Sequence, residues 1–172
     1  AAPVAANLLG GIVMDRLLSL LQNNARLTNK QLAVMLGREE EDVAKAIAAY
    51  EKSGVIRGYQ AVIDWDKTDS PTVFARIEIK VTPKKDFGFE EIARTIMELE
   101  EVQSVSLMSG GYDLALTVSG KTFRDIAMFV AHRLSPIDSV NSTATHFILK
   151  KYKERGVVFE EEIKDERRMT LL

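Results

Sequence analysis

From Thr72 to Thr82 the chain alternates without a break, with Val73, Ala75, Ile77, Ile79 and Val81 on one side and Phe74, Arg76, Glu78 and Lys80 on the other. A period of two belongs to a strand with one buried face, and a slip of one residue would turn every apolar side chain into water. The next seventy residues are equally regular. Phe89, Ile92, Ala93, Ile96 and Leu99 are spaced as the buried stripe of a helix. Val102 to Met108 reads as a strand and Ser109-Gly110-Gly111 as a hairpin turn. Tyr112 to Ser119 reads as the next strand, with Tyr112, Leu114, Leu116 and Val118 on one face. Phe123, Ile126, Ala127, Val130 and Leu134 mark a second helix closed by Pro136, and Val140 to Lys151 a fourth strand. The order βαββαβ predicts a ferredoxin-like unit, four antiparallel strands with both helices on one face. The other face would carry Asp113, Ala115, Thr117 and Ser119 beside Phe74, Arg76 and Glu78. Such mostly small, neutral side chains suit packing against a second sheet, which predicts a homodimer.

Upstream the period changes from two to that of helices. Leu17, Leu18, Leu20 and Leu21 give a helix from about Met14 to Asn23. Thr28-Asn29-Lys30-Gln31 is a capping box, followed by Leu32, Met35 and Leu36 at helical spacing and by Gly37, which takes positive φ without steric cost. A further helix buries Val43, Ile47 and Tyr50 and ends at Gly54, after which Val55 to Tyr59 leads into a strand. Two short helices joined by a Gly-containing turn are the spacing of a helix-turn-helix, whose second helix enters the DNA major groove, and also of a generic helical hairpin. The expected fold class is therefore α+β. A three-helix (winged) helix-turn-helix domain spans 14–60, a linker strand and turn 61–71, and a ferredoxin-like domain 72–155. A charged tail fills 156–172. Residues 1–13 carry no charge and lack the basic start of a signal peptide, so they are expected to be an expression leader with Met14 as the native start.

The overall charge of −2 and pI near 5.8 give no general attraction to nucleic acid, so local patches must supply it. The absence of cysteine excludes disulfides and thiolate chemistry. No uncharged apolar run reaches the ~20 residues of a membrane span, and a cytoplasmic location is expected. His132 and His146 lack metal-ligand spacing, and no Ser/His/Asp order or nucleotide loop is present. The expectation is a non-enzyme without catalytic residues, metal or cofactor.

These elements carry Leu32-Ala33 before Leu36-Gly37, Glu51 with Gly54-Val55-Ile56-Arg57-Gly58-Tyr59, the run Gly111-Tyr112-Asp113-Leu114, and Ser142, Thr143 and Thr145 on the last strand. Over residues 14 to about 155 the chain resembles the leucine-responsive/asparagine regulator (Lrp/AsnC) family of transcription factors. The resemblance implies double-stranded DNA as partner, a C-terminal domain that dimerises and assembles further, up to an octamer, and an amino acid or similar small effector. The DNA contacts it implies are Thr28, Asn29, Lys30, Arg38, Glu41, Lys45, Lys52 and Arg57. The effector contacts it implies are Met108, Gly110, Gly111, Tyr112, Asp113 and Thr145. There the glycines would let amides approach a carboxylate and Asp113 could pair with an α-ammonium.

The second helix of the motif departs from the family, which usually has a serine cap and several arginines there. It opens Arg38-Glu39-Glu40-Glu41-Asp42, and its outward line is Glu41, Ala44, Lys45, Ala48 and Lys52. Acids at a helix start stabilise it by ~0.3–1 kcal/mol each; a carboxylate can also read cytosine N4. Because phosphate neutralisation dominates DNA affinity, weak and strongly salt-sensitive binding is expected, raised by multivalency. The depleted helix also leaves open a ligand-binding or enzymatic descendant of this plan, such as the sirohaem decarboxylases. Lys150, Lys151, Lys153 and Arg155 read as a solvated strand end, with a second nucleic-acid contact as the alternative.

Overall fold

Asp15 opens the first helix and ties it to the third. In the computed structural model, which describes residues 15–82 and 88–159, Asp15 Oδ1 accepts the Leu17 N–H at 2.8 Å and caps α1 (Arg16–Asn23). Its other oxygen accepts the phenol of Tyr50, on the last turns of α3 (Glu40–Ser53). Between them, α2 (Asn29–Leu36) forms the expected capping box. Thr28 Oγ1 accepts the Gln31 N–H at 3.2 Å and Gln31 Oε1 accepts the Thr28 N–H at 2.9 Å. Gly37, at φ 64°, ends α2 and permits the sharp turn. Leu17, Leu21, Leu32, Ala33 and Val43 are buried together, with Ile47 and Tyr50 half-buried against them. Glu39 gives α3 no side-chain cap, but Glu40, Glu41 and Asp42 fill its first turn, where the helix dipole favours negative charge.

The linker strand expected after α3 is absent. Val55 to Asp64 forms no ladder with any described residue, so the wing contains no sheet, and Trp65–Lys67 is a single 3-10 turn. Val62 and Ile63 alone are too short an apolar stretch to define a buried strand face. The chain divides into two compact units between Val62 and Ile63, so Ile63 to Pro71, read in the sequence as linker, belongs to the second unit.

That unit has the expected order: β1 (Val73–Val81), α4 (Gly88–Met97), β2 (Val102–Leu107), β3 (Leu114–Gly120), α5 (Phe123–Phe129) and β4 (Val140–Ile148). The strands lie β2-β3-β1-β4, all neighbours antiparallel. Register sets Ile77 opposite Leu116 and Thr145, and Arg76 opposite Thr117 and His146. The alternation therefore buries Ala75, Ile77, Ile79 and Val81 with Leu114, Leu116 and Val118, under Ile92 and Ile96 of α4 and Ile126 and Phe129 of α5. After Phe129 the helix widens into a π turn, Val130–Leu134, in which Val130 O accepts the Ser135 N–H at 2.8 Å. The wider turn brings Leu134 into the core, while Arg133 Nη1 donates to both Glu101 oxygens at 2.6 and 2.7 Å.

Two strand ends are shorter than expected. β4 stops at Ile148, and a two-residue hairpin, β5 (Lys153–Glu154) with β6 (Val157–Val158), stands where the sequence suggested the end of the domain and the start of the tail. β3 begins at Leu114, so Tyr112 lies in a loop and escapes the strand's alternation. Its hydroxyl accepts from Arg76 Nη2 at 3.0 Å on the sheet face away from the helices, a correction to its expected place beside Leu114. Asp113 fastens that loop to β1, its N–H donating to Ile79 O at 2.9 Å and its Oδ2 accepting the Val81 N–H at 2.8 Å. The expected leader 1–13, Met14 and the acidic tail from Glu160 lie outside the described residues.

Two outcomes are expected. The Tyr50 phenol, together with the Leu17 amide and the Arg38 charge, holds the Asp15 carboxyl below its ordinary 3.8 against burial, and the same bond raises Tyr50 above 10.0. The bond's stabilisation is therefore complete between those two ordinary values. It is lost as pH falls through the depressed carboxyl pKa, and lost again as pH rises through the raised phenol pKa. Tyr50→Phe should cost the first unit about 1 kcal/mol at neutral pH in urea denaturation and flatten both flanks of its stability profile. Asp113→Ala, which leaves the part-buried Val81 N–H without its acceptor, should destabilise the second unit by about 1–2 kcal/mol, and Asp113→Asn by less.

Candidate nucleic-acid interface and ligand loop

Burial of Val43 on one side of α3 turns Glu41, Lys45, Ala48 and Lys52 outward. All four lie away from the helical core, so a continuous strip of the helix is available to a partner. Its electrostatics are self-compensated. Lys45 Nζ lies 2.7 Å from Glu41 Oε1, one turn earlier, with the two side chains 68% and 79% exposed. Arg38, at the turn before α3, lies close enough to Asp15 and Tyr50 for its charge to act on both. Arg57 does not project with the strip. Its guanidinium folds back over Gly54, where an added Cβ would meet it at 3.1 Å. Thr28, Asn29 and Lys30 stand at the start of α2, although the Thr28 oxygen and N–H are both committed to the capping box. The sequence-derived DNA set thus separates into an outward strip (Glu41, Lys45, Lys52), an α2 start (Thr28, Asn29, Lys30), an exposed Arg38 at the turn before α3, and Arg57 folded over Gly54. Nothing in the spacing signals the Arg57 contact or the bond between Asp15 and Tyr50, which spans 35 positions.

The second candidate is the β2–β3 loop. Met108 N–H donates to Asp113 O at 2.8 Å and closes it. Gly110 takes φ 153°, a backbone conformation that disfavours side chains, and an added Cβ at Gly110 or Gly111 would meet nothing within 4 Å. The glycines thus leave backbone open at the loop's tip. Asp113 is less available to an ammonium than the sequence suggested, because one carboxylate oxygen already serves the Val81 amide. Met108, Gly110, Gly111, Tyr112 and Asp113 are brought together. Thr145 is not among them. It sits on β4, across β1 from the loop, opposite Ile77 on the helix-covered side, whereas Tyr112 reaches the other face. Arg76, through its bond to Tyr112, is a neighbour of the loop that strand alternation could not reveal.

Two further features lie elsewhere on this unit. The basic cluster after β4 is only partly solvated. Lys151 Nζ lies 3.9 Å over the Phe74 ring and 2.8 Å from Glu154, and Lys150 stacks on Tyr152. At the opposite end of the sheet from the loop, a cavity of about 160 Å³ is lined by Trp65, Phe74, Phe123, Lys151 and Phe159 among others. Among the described residues, no cluster of three or more His, Asp or Glu could hold a metal ion, and no helix is long and apolar enough to cross a membrane.

Comparison with known proteins bears on both candidates. A family model for winged helix-turn-helix DNA-binding domains matches residues 16–57, and one for the Lrp/AsnC ligand binding domain matches residues 74–158. An uncharacterised HTH-type transcriptional regulator of Bacillus subtilis (strain 168), YugG, is 48% identical over 145 residues, 84% of this chain and 87% of that protein. A second uncharacterised HTH-type transcriptional regulator, from Pyrococcus furiosus, is 31% identical over 141 residues, 82% of this chain and 92% of its own length. Among solved structures, a transcriptional regulator of Neisseria meningitidis in complex with L-methionine aligns with a TM-score of 0.67 at 25% identity, over 80% of this chain and 88% of that one. Two domain matches in the expected order and a relative at nearly half identity show that this chain belongs to the Lrp/AsnC family of helix-turn-helix transcriptional regulators.

Proposed function

We propose that this regulator reads double-stranded DNA with the outward strip of α3, steadied on the phosphates by Asn29 and Lys30 at the start of α2. The observation that carries the reading is the outward placement of Glu41, Lys45, Ala48 and Lys52 opposite the buried Val43. A strip with two lysines and one carboxylate neutralises few phosphates, so affinity per protomer is low and its salt dependence per protomer is shallow. Pairing of protomers compensates, since two linked strips bind with the effective concentration of one complex. The uncovered sheet face, with Ala115, Thr117, Ala144 and Ser142 flanking Arg76 and Glu78, supports a homodimer, and a ring of dimers is the natural extension. The work is done in the cytoplasm, where the DNA is.

The effector is an amino acid held at the β2–β3 loop, its carboxylate on the open backbone around Gly110 and Gly111. Support comes from that open tip and from the L-methionine bound in the Neisseria relative. Thr145 has no part in this site unless a neighbouring protomer brings it there.

Mobility shifts with the protein's own promoter should show retardation at low salt that disappears as salt is raised; no retardation at micromolar protein refutes the DNA reading. Isothermal titration against a panel of amino acids should give heat for at least one, abolished by Gly111→Val. Flat traces across the panel remove the effector role.

A further inference from the structure

We infer that Glu41 is an electrostatic brake on DNA binding: it holds Lys45 in an intrahelical ion pair that keeps the lysine from neutralising a phosphate. The inference rests on the reading of α3 as the DNA-contacting helix and names the residue that sets its strength.

The geometry is specific to this pair. Glu41 and Lys45 stand one helical turn apart on the outward strip, Nζ to Oε1 2.7 Å. Both lie on the surface that would meet the duplex, so the carboxylate competes with DNA phosphate for the same ammonium at the same place. The order, glutamate before lysine at i and i+4, is the favourable one and agrees with the helix dipole. An exposed pair of this kind is weak in free energy. Its cost to DNA binding is the work of breaking it, and while the ammonium stays paired it releases no counterion when DNA binds. The other cations near the strip do not make up the loss. Arg38 stands at the turn before α3, off the outward strip, and Arg57 is folded over Gly54. Lys52, at the far end of α3, is the remaining exposed lysine of the strip.

Removing the brake has a signature distinct from a simple change in net charge. Glu41→Gln keeps the side-chain shape and frees Lys45. Binding of the full-length protein to a labelled mixed-sequence duplex, followed by fluorescence anisotropy over a salt series, should tighten roughly twofold at low salt. The plot of log affinity against log salt should steepen by about 0.9 per bound protomer, the slope of one added phosphate contact. Lys45→Gln should erase the gain in the Glu41→Gln background. Glu40→Gln, which removes an equal charge from the same helical turn but off the outward strip, should give neither the steeper slope nor the dependence on Lys45. Circular dichroism of each variant checks that α3 remains folded.

Several results overturn the brake. A Glu41→Gln gain that survives Lys45→Gln, or is matched by Glu40→Gln, makes the effect plain repulsion. Unchanged or weaker binding by Glu41→Gln, with the native protein bound, removes the brake and leaves the DNA reading standing. Weakening confined to duplexes with a particular cytosine would make Glu41 a base reader instead. If no variant binds duplex at any salt, the DNA reading itself has failed and the brake falls with it.

Discussion

Strand β1 is hydrogen-bonded on both edges, to β3 and to β4, and almost everything in the second unit takes its position from that double pairing. Because a strand's side chains alternate, one register decision fixes two surfaces together. Ile77 and Ile79 go under the helices, and Arg76 and Glu78 go to the open face. The β2–β3 loop is then anchored to the end of the same strand through Asp113, and Tyr112 bends back to the guanidinium of Arg76. The β2–β3 loop and an open sheet face thus share a single strand as their common support, which gives a change at one a short physical route to the other.

The first unit solves a different problem. Its three helices bury few large side chains, and a core of that size stabilises little by itself. Polar contacts at the helix ends supply the remaining definition: the Thr28 and Gln31 box, the left-handed Gly37, and Asp15, which caps one helix while accepting from the far end of another. The acids at the start of α3 belong to this set of helix-end devices, and one of them, Glu41, also stands on the outward strip. A charge that stabilises the helix thereby also weakens the attraction of that surface for any polyanion.

How far the sequence can be read depends on whether the determining interaction is local. The capping box at Thr28, the strict alternation from Val73 to Val81 and the helical stripes of α4 and α5 are set by residues within a turn or two of one another, and they are found where expected. Alternation puts Tyr112 beside Leu114, but the rule has no force in the loop where Tyr112 lies. Val55 to Asp64 reads as strand-forming, yet an extended sequence becomes a strand only when unpaired backbone lies beside it. The family resemblance groups Thr145 with the glycine loop, although register puts it on the other side of β1, facing the helices. The two units, the helix-turn-helix and the order of the sheet are therefore legible. The folding of Arg57 over Gly54 and the commitment of Asp113 to a backbone amide are not, since each depends on side-chain geometry that spacing does not encode.

The π turn at Val130–Leu134 uses one residue more per turn than an α-helix would, and that surplus rotates Leu134 inward while leaving Arg133 on Glu101. Insertion of a single residue into a regular helix is absorbed in just this way, as a local widening that leaves the flanking segments in phase with their surroundings. The stretch is therefore a seam at which the chain's length can change by one without disturbing the sheet beneath. Related chains that differ here by a single deletion would be expected to close an ordinary helix and to present β4 in the same frame.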